Sequence, residues 1–517
     1  MKKLKLSRVA VIIILSLIII TQFCVRIFAG AQKEYYHMDE MYSYGLMNYK
    51  QVSIVDDENL MGEWHSPEYF RDYISISSEE SGDWSPVYTN QVNDVHPPLF
   101  YLLLRIFASM TIDGFSKWTG IILNMIIWIG SAILVFFITR RMTRDDRLAL
   151  IVTFFAGLTA AALNTTIYIR MYELAALNIL IITHVALWLL DKKKIEWKHS
   201  AIIIPALVTG ILTHYHYLFF VAILAVMVIY KLYKSNRKPD ILKFVVSGVA
   251  GGGIALAIFP AMIPHLLRGH PESSGIGSFF DHLKGYLIVA NRNIFANLGL
   301  FIIGILLIAL IITIIRKKKI TTSKNLLLLL LPTVVFFLVI VVTAPWIELR
   351  YIMPICPIIA IVALVAISDF IKNLFSKWHV IATAVVVIAV MIATPFVHPK
   401  LEMAYEGYDH IVDRVVEINA PILYVFNTDH NRLLDDMFLL TFVDSYVIDS
   451  RDVNESNLAQ VFADRCVING LTVIINSEND NDAILEQIES ATGLSETKWI
   501  QRLNAADVYH LYYDYES

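Results

Sequence analysis

Apolar residues run along this chain in unbroken stretches of roughly twenty, longer than any strand and lacking the polar stripe of a surface helix. These stretches fall near 8–29, 117–139, 147–164, 172–190, 200–213, 216–232, 241–262, 297–315, 325–344, 351–370 and 379–396. Lipid offers the backbone no hydrogen-bond partners, so only a helix satisfies its polar groups within one segment. The pattern predicts a polytopic α-helical membrane protein with about eleven transmembrane helices. The runs at 200–213 and 216–232 are the shortest.

After residue 398 the pattern changes. Apolar runs shrink to strand length in PILYVF from Pro421, SYVI from Ser445 and LTVIIN from Leu471. Between and after them, NLAQVFADRCV and AILEQIES repeat their apolar residues at helical spacing. Strands alternating with helices predict a small α/β domain. The expected division is a transmembrane domain over 1–397, including the polar loop 31–116, and a soluble domain over 398–517.

Composition supports lipid as the solvent. The 517 residues are 56% hydrophobic and 17% charged, with a mean hydropathy of +0.58, more apolar surface than one soluble core hides. A net charge of −4 gives no basic face for nucleic acid. The cysteines Cys24, Cys356 and Cys466 are far apart and form neither a disulfide framework nor a metal-binding spacing. Ala29-Gly30-Ala31 resembles a signal-peptide cleavage site. The apolar run before it is nevertheless long enough to span, and cleavage would untether the acidic pair that follows, so an uncleaved helix is expected.

Basic residues cluster at alternate connections: Lys2, Lys3, Lys5 and Arg8; Arg140, Arg141, Arg144 and Arg147; Lys192, Lys193, Lys194 and Lys198; Lys231, Lys234, Arg237 and Lys238; and Arg316, Lys317, Lys318 and Lys319. Such clusters stay on the cytoplasmic side. The N-terminus is therefore expected in the cytoplasm of a plasma-membrane protein, with the loops 31–116 and 264–296 and the tail outside. Within the runs ionisable residues are scarce, with His184 the clearest, and this counts against an ion-coupled transporter.

Polar and aromatic residues collect instead at the expected outer ends, in YYHMDEMYSYG at 35–45, DVHPPLFYLLLR at 94–105, YIRMYEL at 168–174 and ELRYIMPICP at 348–357, with a weaker cluster THYHY at 213–217. Adjacent helical residues point about 100° apart, so Asp39 and Glu40 suit one catalytic base with one support rather than a pair sharing a proton. Alone, the pair reads more simply as the solvated start of a loop. In His96-Pro97-Pro98 the prolines open a helix, and the LFYLLL that follows is too short to span, so it is expected at the interface. His96 is then either a cap or a substrate contact. Arg170 and Arg350 each stand beside a tyrosine, Tyr172 two residues on and Tyr351 adjacent. Arginine there suits bidentate phosphate binding, and it suits snorkelling to headgroups equally well. His214 and His216 read as aromatic belt rather than metal ligands. Gly251-Gly252-Gly253 lies within a run and reads as close helix packing.

Together these segments resemble superfamily C of the glycosyltransferases, and most closely its family 39/83-like branch of protein O-mannosyltransferases and the aminoarabinose transferase of lipid A. In that branch an Asp-Glu pair opens the first outer loop, a His-Pro-Pro-Leu type segment precedes the second helix, an Arg-Met-Tyr type segment precedes the fourth, and an Arg-Tyr-hydrophobic-Pro segment opens a late one. Here they correspond to Asp39-Glu40, His96 to Leu99, Arg170-Met171-Tyr172 and Arg350 to Pro354. The resemblance covers roughly the first 400 residues and implies the superfamily C fold. It implies an inverting membrane glycosyltransferase that moves a sugar from a polyprenyl-phosphate donor to a glycan, lipid or protein acceptor of the cell envelope. Asp39 and Glu40 are the implied catalytic pair, Arg170 and Arg350 the donor-phosphate ligands, and His96, Tyr172 and Tyr351 the substrate contacts. The scheme requires no metal or cofactor. A transporter or flippase of lipid-linked sugars is the alternative, and a receptor anchored by so many spans is a distant third. The middle of loop 31–116 and the α/β tail have no counterpart in the resemblance.

Overall fold

The structure is a computed structural model, and it describes residues 6–268, 278–316, 323, 325–427, 432–463, 465, 467–476, 480–504 and 506–513. Lys2, Lys3, Lys5, Lys317, Lys318, Lys319 and Cys466 lie outside the described residues. The backbone divides into two compact units. The first is Met1–Gly30, Val95–Phe100 and Ile121–Leu401, and the second is Ala31–Asp94, Tyr101–Gly120 and Glu402–Ser517.

The chain is an integral membrane protein of many helices. Among the described residues eight are long and apolar enough to cross a bilayer: α1 (Arg8–Ala31), Lys117–Thr143, Tyr172–Asp191, Tyr217–Lys234, Lys238–Ile258, Leu326–Thr343, Met353–Leu374 and His379–Val397. Two bent pairs raise the number to ten if each is one span: Asp146–Leu158 with Ala160–Ile167, bent by 55°, and Phe279–Phe295 with Gly299–Ile315, bent by 89°. The expected run at 200–213 falls in Trp197–Ile211, a shorter apolar helix.

Both bends have local causes. Thr159 is extended and its side chain accepts from the Ala162 N–H, so it caps the second half as a new helix. In the other pair Ala296 is left-handed at the helix end, a common way to stop a helix. The Asn291 side chain then accepts from the Gly299 N–H at 2.7 Å. A β-carbon on Gly299 would lie 2.4 Å from that oxygen, so a larger residue there would displace the Asn291 side chain from this bond.

Tyr172–Asp191 and Met353–Leu374 have 72% of their apolar windows buried, against 11% for α1. The first two are the packed interior of the unit, while α1 offers most of its surface to lipid. Its last turns are different. Arg26 is fully buried, donating to Thr166 at 3.0 Å and to the Gly157 carbonyl at 2.8 Å, with its guanidinium 4.3 Å from the Trp128 ring. Thr166 donates in turn to Glu173, also buried, at 3.1 Å. The expectation that the spans hold almost no charge is corrected here, because a guanidinium bonded through Nε and Nη1 and set over an indole ring is tolerated away from water. Of the three consecutive glycines, Gly251 packs closely against Leu207 and Ile204, and Gly252 and Gly253 face open space.

The second unit is built on a six-stranded sheet in the order β1-β3-β2-β4-β6-β5. The strands are β1 (Trp64–His65), β2 (Ile422–Phe426), β3 (Ser445–Asp449), β4 (Leu471–Asn476), β5 (Glu496–Arg502) and β6 (Asp507–Tyr512). β3, β2 and β4 are parallel and the other pairings antiparallel. β2 and β4 are buried at every position, as continuous apolar strands covered on both faces must be. Leu423, Val425, Val473 and Ile475 pack with Leu485 and Ile488 of the helix Asn481–Thr492, and each such burial stabilises the unit by about 1.5–3 kcal/mol. The tail is the α/β domain its pattern predicts. The sheet also recruits β1 from the loop after α1, paired Trp64 to Tyr446 and His65 to Ser445.

Candidate functional site

The acidic pair opens the helix α2 (Met38–Asn48) in the second unit. His37 is extended and its Nδ1 accepts from the Asp39 N–H at 3.1 Å, while the His37 N–H donates to Glu40 at 3.0 Å. This reciprocal capping satisfies the first donors of the helix. Because Nδ1 accepts a hydrogen bond it carries no proton, so the 3.8 Å approach of Asp39 to it is not an ion pair in this arrangement.

The two carboxylates have different surroundings. Glu40 meets the Lys33 ammonium at 2.9 Å with both side chains wholly buried, and Lys33 also donates to the Met403 carbonyl at 2.8 Å. Burial lowers the Lys33 pKa, and Glu40 opposes that shift. Asp39 keeps 21% of its side chain exposed. One group is fixed and the other is reachable, as their angular separation on a helix predicts.

Two more carboxylates stand nearby on the helix Leu433–Leu440. Asp435 accepts from the Met38 N–H, and burial raises its pKa, with Asp39 adding to the rise. Asp436 is pushed up to about 7 by burial and then by Asp435. It accepts from the Tyr424 hydroxyl at 3.0 Å and the Asn476 amide at 2.9 Å.

The cationic residues belong to the first unit. Arg350 lies in a 3-10 turn, Leu349–Tyr351, immediately before the turn and helix that begin at Met353. It pairs with Glu348 at 2.6 Å and donates to the Tyr351 hydroxyl at 3.3 Å and the Tyr168 hydroxyl at 3.4 Å. Tyr168 stacks on Tyr172 with centroids 5.9 Å apart, Tyr172 meets His214 at 5.8 Å, and His214 stacks on His216 at 4.9 Å. Burial drives the His214 pKa well below its ordinary value, helped by His216, His96 and Arg170. Leu99 donates to the Leu212 carbonyl at 2.9 Å, which holds the segment carrying His96 beside the His214 turn. Arg170 sits in the break between the helices Ala160–Ile167 and Tyr172–Asp191.

The structure thus gathers Arg170, Arg350, His96, Tyr172 and Tyr351 into one cationic, aromatic strip of the first unit, and places Asp39 and Glu40 at the start of α2 in the second. Sequence reasoning passed over Tyr168 and ranked His214 as belt, although THYHY was visible. It also passed over Lys33, and over Asp435 and Asp436, whose signal was an acidic doublet inside the apolar run LLDDMFLL. Among the described residues no three His, Cys, Asp or Glu side chains are grouped to hold a metal ion.

No protein-family model and no curated protein matches the sequence. Solved structures do match the fold. ArnT from Cupriavidus metallidurans aligns in its apo state with a TM-score of 0.55 and 12% identity over 96% of this chain and 97% of that one. The same protein bound to undecaprenyl phosphate aligns with a TM-score of 0.51, at 12% identity and the same coverage of both chains. Shared architecture over nearly the whole of both chains, at an identity this low, speaks for the fold alone. This chain shares the fold of that ArnT structure over nearly the whole of both chains.

Proposed function

We propose that the chain is an inverting glycosyltransferase that takes a sugar from a polyprenyl-phosphate donor and delivers it to a glycan, lipid or protein acceptor on the outer face of the plasma membrane. The observation that carries this reading is the cationic strip, in which Arg170, Arg350 and His96 converge from distant parts of the sequence. ArnT, similar in fold, was solved with undecaprenyl phosphate bound, the kind of group such a strip suits.

In the proposed reaction Asp39 takes the proton of the acceptor hydroxyl, and that oxygen bonds to the anomeric carbon. The bond from that carbon to the phosphate oxygen breaks on the opposite face, its electron pair leaves with the polyprenyl phosphate, and the sugar inverts. A phosphate is already a good leaving group, so the remaining work is positioning and stabilisation of its growing charge. Arg170 and Arg350 supply that stabilisation, with forked donors that match phosphate oxygens. His96, Tyr172 and Tyr351 contact the substrates, and Glu40 with Lys33 fixes the start of α2.

A second reading, a translocator of lipid-linked sugars, is favoured by the ionisable Arg26 and Glu173 buried within the helices. Asp39→Asn separates the two, because it abolishes transfer and leaves translocation intact. The test compares cell-envelope glycans from a strain lacking the protein with those from a strain carrying Asp39→Asn, alongside transfer assays on the purified protein with polyprenyl-phosphate sugars. If both strains match the wild type in every glycan and the protein transfers no sugar, the enzyme reading fails.

A further inference from the structure

The first unit holds a second charged site, unrelated to the strip. A pocket of about 770 Å³ is lined by Leu6 and Arg8 at the start of α1, by Phe137, Arg140 and Arg141 near the end of Lys117–Thr143, by the turn Arg144 to Arg147, and by Asp191 at the end of Tyr172–Asp191. Five arginines face three aspartates there.

The aspartates are all engaged. Arg140 pairs with Asp146 and Arg141 with Asp191, each at 2.5 Å. Arg147 grips Asp145 through two bonds, at 3.2 and 2.9 Å. Asp145 also accepts from the Arg147 N–H and so starts the next helix. These pairs brace the walls. Arg8 and Arg144 are both exposed and have no ion-pair partner among the described residues, so the pocket keeps an uncompensated positive charge. Two free guanidiniums in a braced concavity are a site for a phosphate group.

The apolar part of the lining identifies the source of that phosphate. Phe137 is 41% exposed, and beyond Arg8 the outward residues of α1, Val9 at 65% and Ile12 at 64%, face lipid. A site for a free anion has no use for such a wall, whereas a phospholipid presents its headgroup and its acyl chains together. We propose that this pocket binds the headgroup of an anionic phospholipid, with Arg8 and Arg144 on the phosphate and Phe137 against the glycerol and upper acyl chain. The assignment is independent of sugar transfer.

The test uses the purified full chain in detergent, with dioleoylphosphatidylglycerol, dioleoylphosphatidylcholine or inorganic phosphate added, and reads lipid retention by native mass spectrometry and the thermal unfolding midpoint. The wild type should retain phosphatidylglycerol over phosphatidylcholine and unfold at a higher temperature with it, less so as salt rises. The double variant Arg8→Gln with Arg144→Gln should bind phosphatidylglycerol about 25-fold more weakly, about fivefold for each arginine. Asp146→Asn releases Arg140 and should tighten binding, which gives a readout if the double variant does not fold. Equal retention of the two lipids by the wild type, or unchanged phosphatidylglycerol affinity in the folded double variant, overturns the proposal. Protection by millimolar inorganic phosphate equal to that by phosphatidylglycerol overturns the lipid assignment.

Discussion

The start of α2 and the cationic strip of the first unit are opposite in charge and assembled in opposite ways. At α2 the key contacts join residues close in sequence: His37 with Asp39, His37 with Glu40, and Lys33 with Glu40. The strip instead joins Tyr168, Tyr172, His214 and Arg350 across nearly two hundred residues, with Arg350 bonded to Tyr168 182 positions away. A helix start fixes one carboxylate and leaves its neighbour reachable with very little chain. Several donors for one large anion need many helix ends, each contributing a single side chain.

Four measurements break or sharpen that contrast. The largest effect belongs to Asp39→Asn, which should lower sugar transfer by about 10³-fold, within the range of a lost general base. Its partly exposed side chain should leave the unfolding midpoint nearly unchanged, and a variant that unfolds easily would mark Asp39 as structural. Lys33→Met comes next. It removes the ammonium from the buried Glu40 carboxylate and should cost about 3–5 kcal/mol of stability. Adding Glu40→Gln should recover much of that loss, and denaturation of the single and double variants side by side checks it.

On the cationic side, Arg350→Lys should reduce kcat/KM by about 10²-fold, since an ammonium cannot replace a forked donor. Full activity in the lysine variant would remove Arg350 from the phosphate role. The smallest effect is a pH dependence. Asp436 is held near 7 in the folded protein against an ordinary aspartate value of about 4 in the unfolded chain. The unfolded chain therefore loses this proton first as pH rises, so its contribution to stability is complete below about 4 and fades up to about 7. Asp436→Asn should flatten that slope, as seen in unfolding midpoints at pH 5 and pH 8, and an unchanged slope would assign it to other groups.

Much of this was legible in the sequence. The long apolar runs announce helices because lipid allows few alternatives, and β2, β3 and β4 stand out as short apolar runs between helical patterns. The bends were not legible, since they depend on one threonine cap at 159 and one side-chain bond from Asn291. Neither was β1, because two residues, Trp64 and His65, carry no periodicity at all. At the candidate site, aromatic-flanked arginines at helix ends such as Arg170 and Arg350, both of them buried, drew attention. Lys33 did not, because its importance lies in a buried partner seven positions on. Arg26 was hidden by the apolar run around it, and only the fold shows the Thr166 and Gly157 oxygens that accept from it.

The pairing of β1 with β3 carries a consequence for biogenesis. Trp64 and His65 emerge from the ribosome early, and Ser445 and Tyr446, their sheet partners, follow only after every spanning helix has been made. Lys33 likewise waits for Met403, and Arg71 for the Thr441 carbonyl, 370 positions later in each case. The second unit therefore has no finished state during translation, and its closure is a late, slow event of high contact order. Throughout synthesis the loop after α1 stays incomplete and open to proteases or chaperones, and a chain stopped near residue 400 leaves it so permanently.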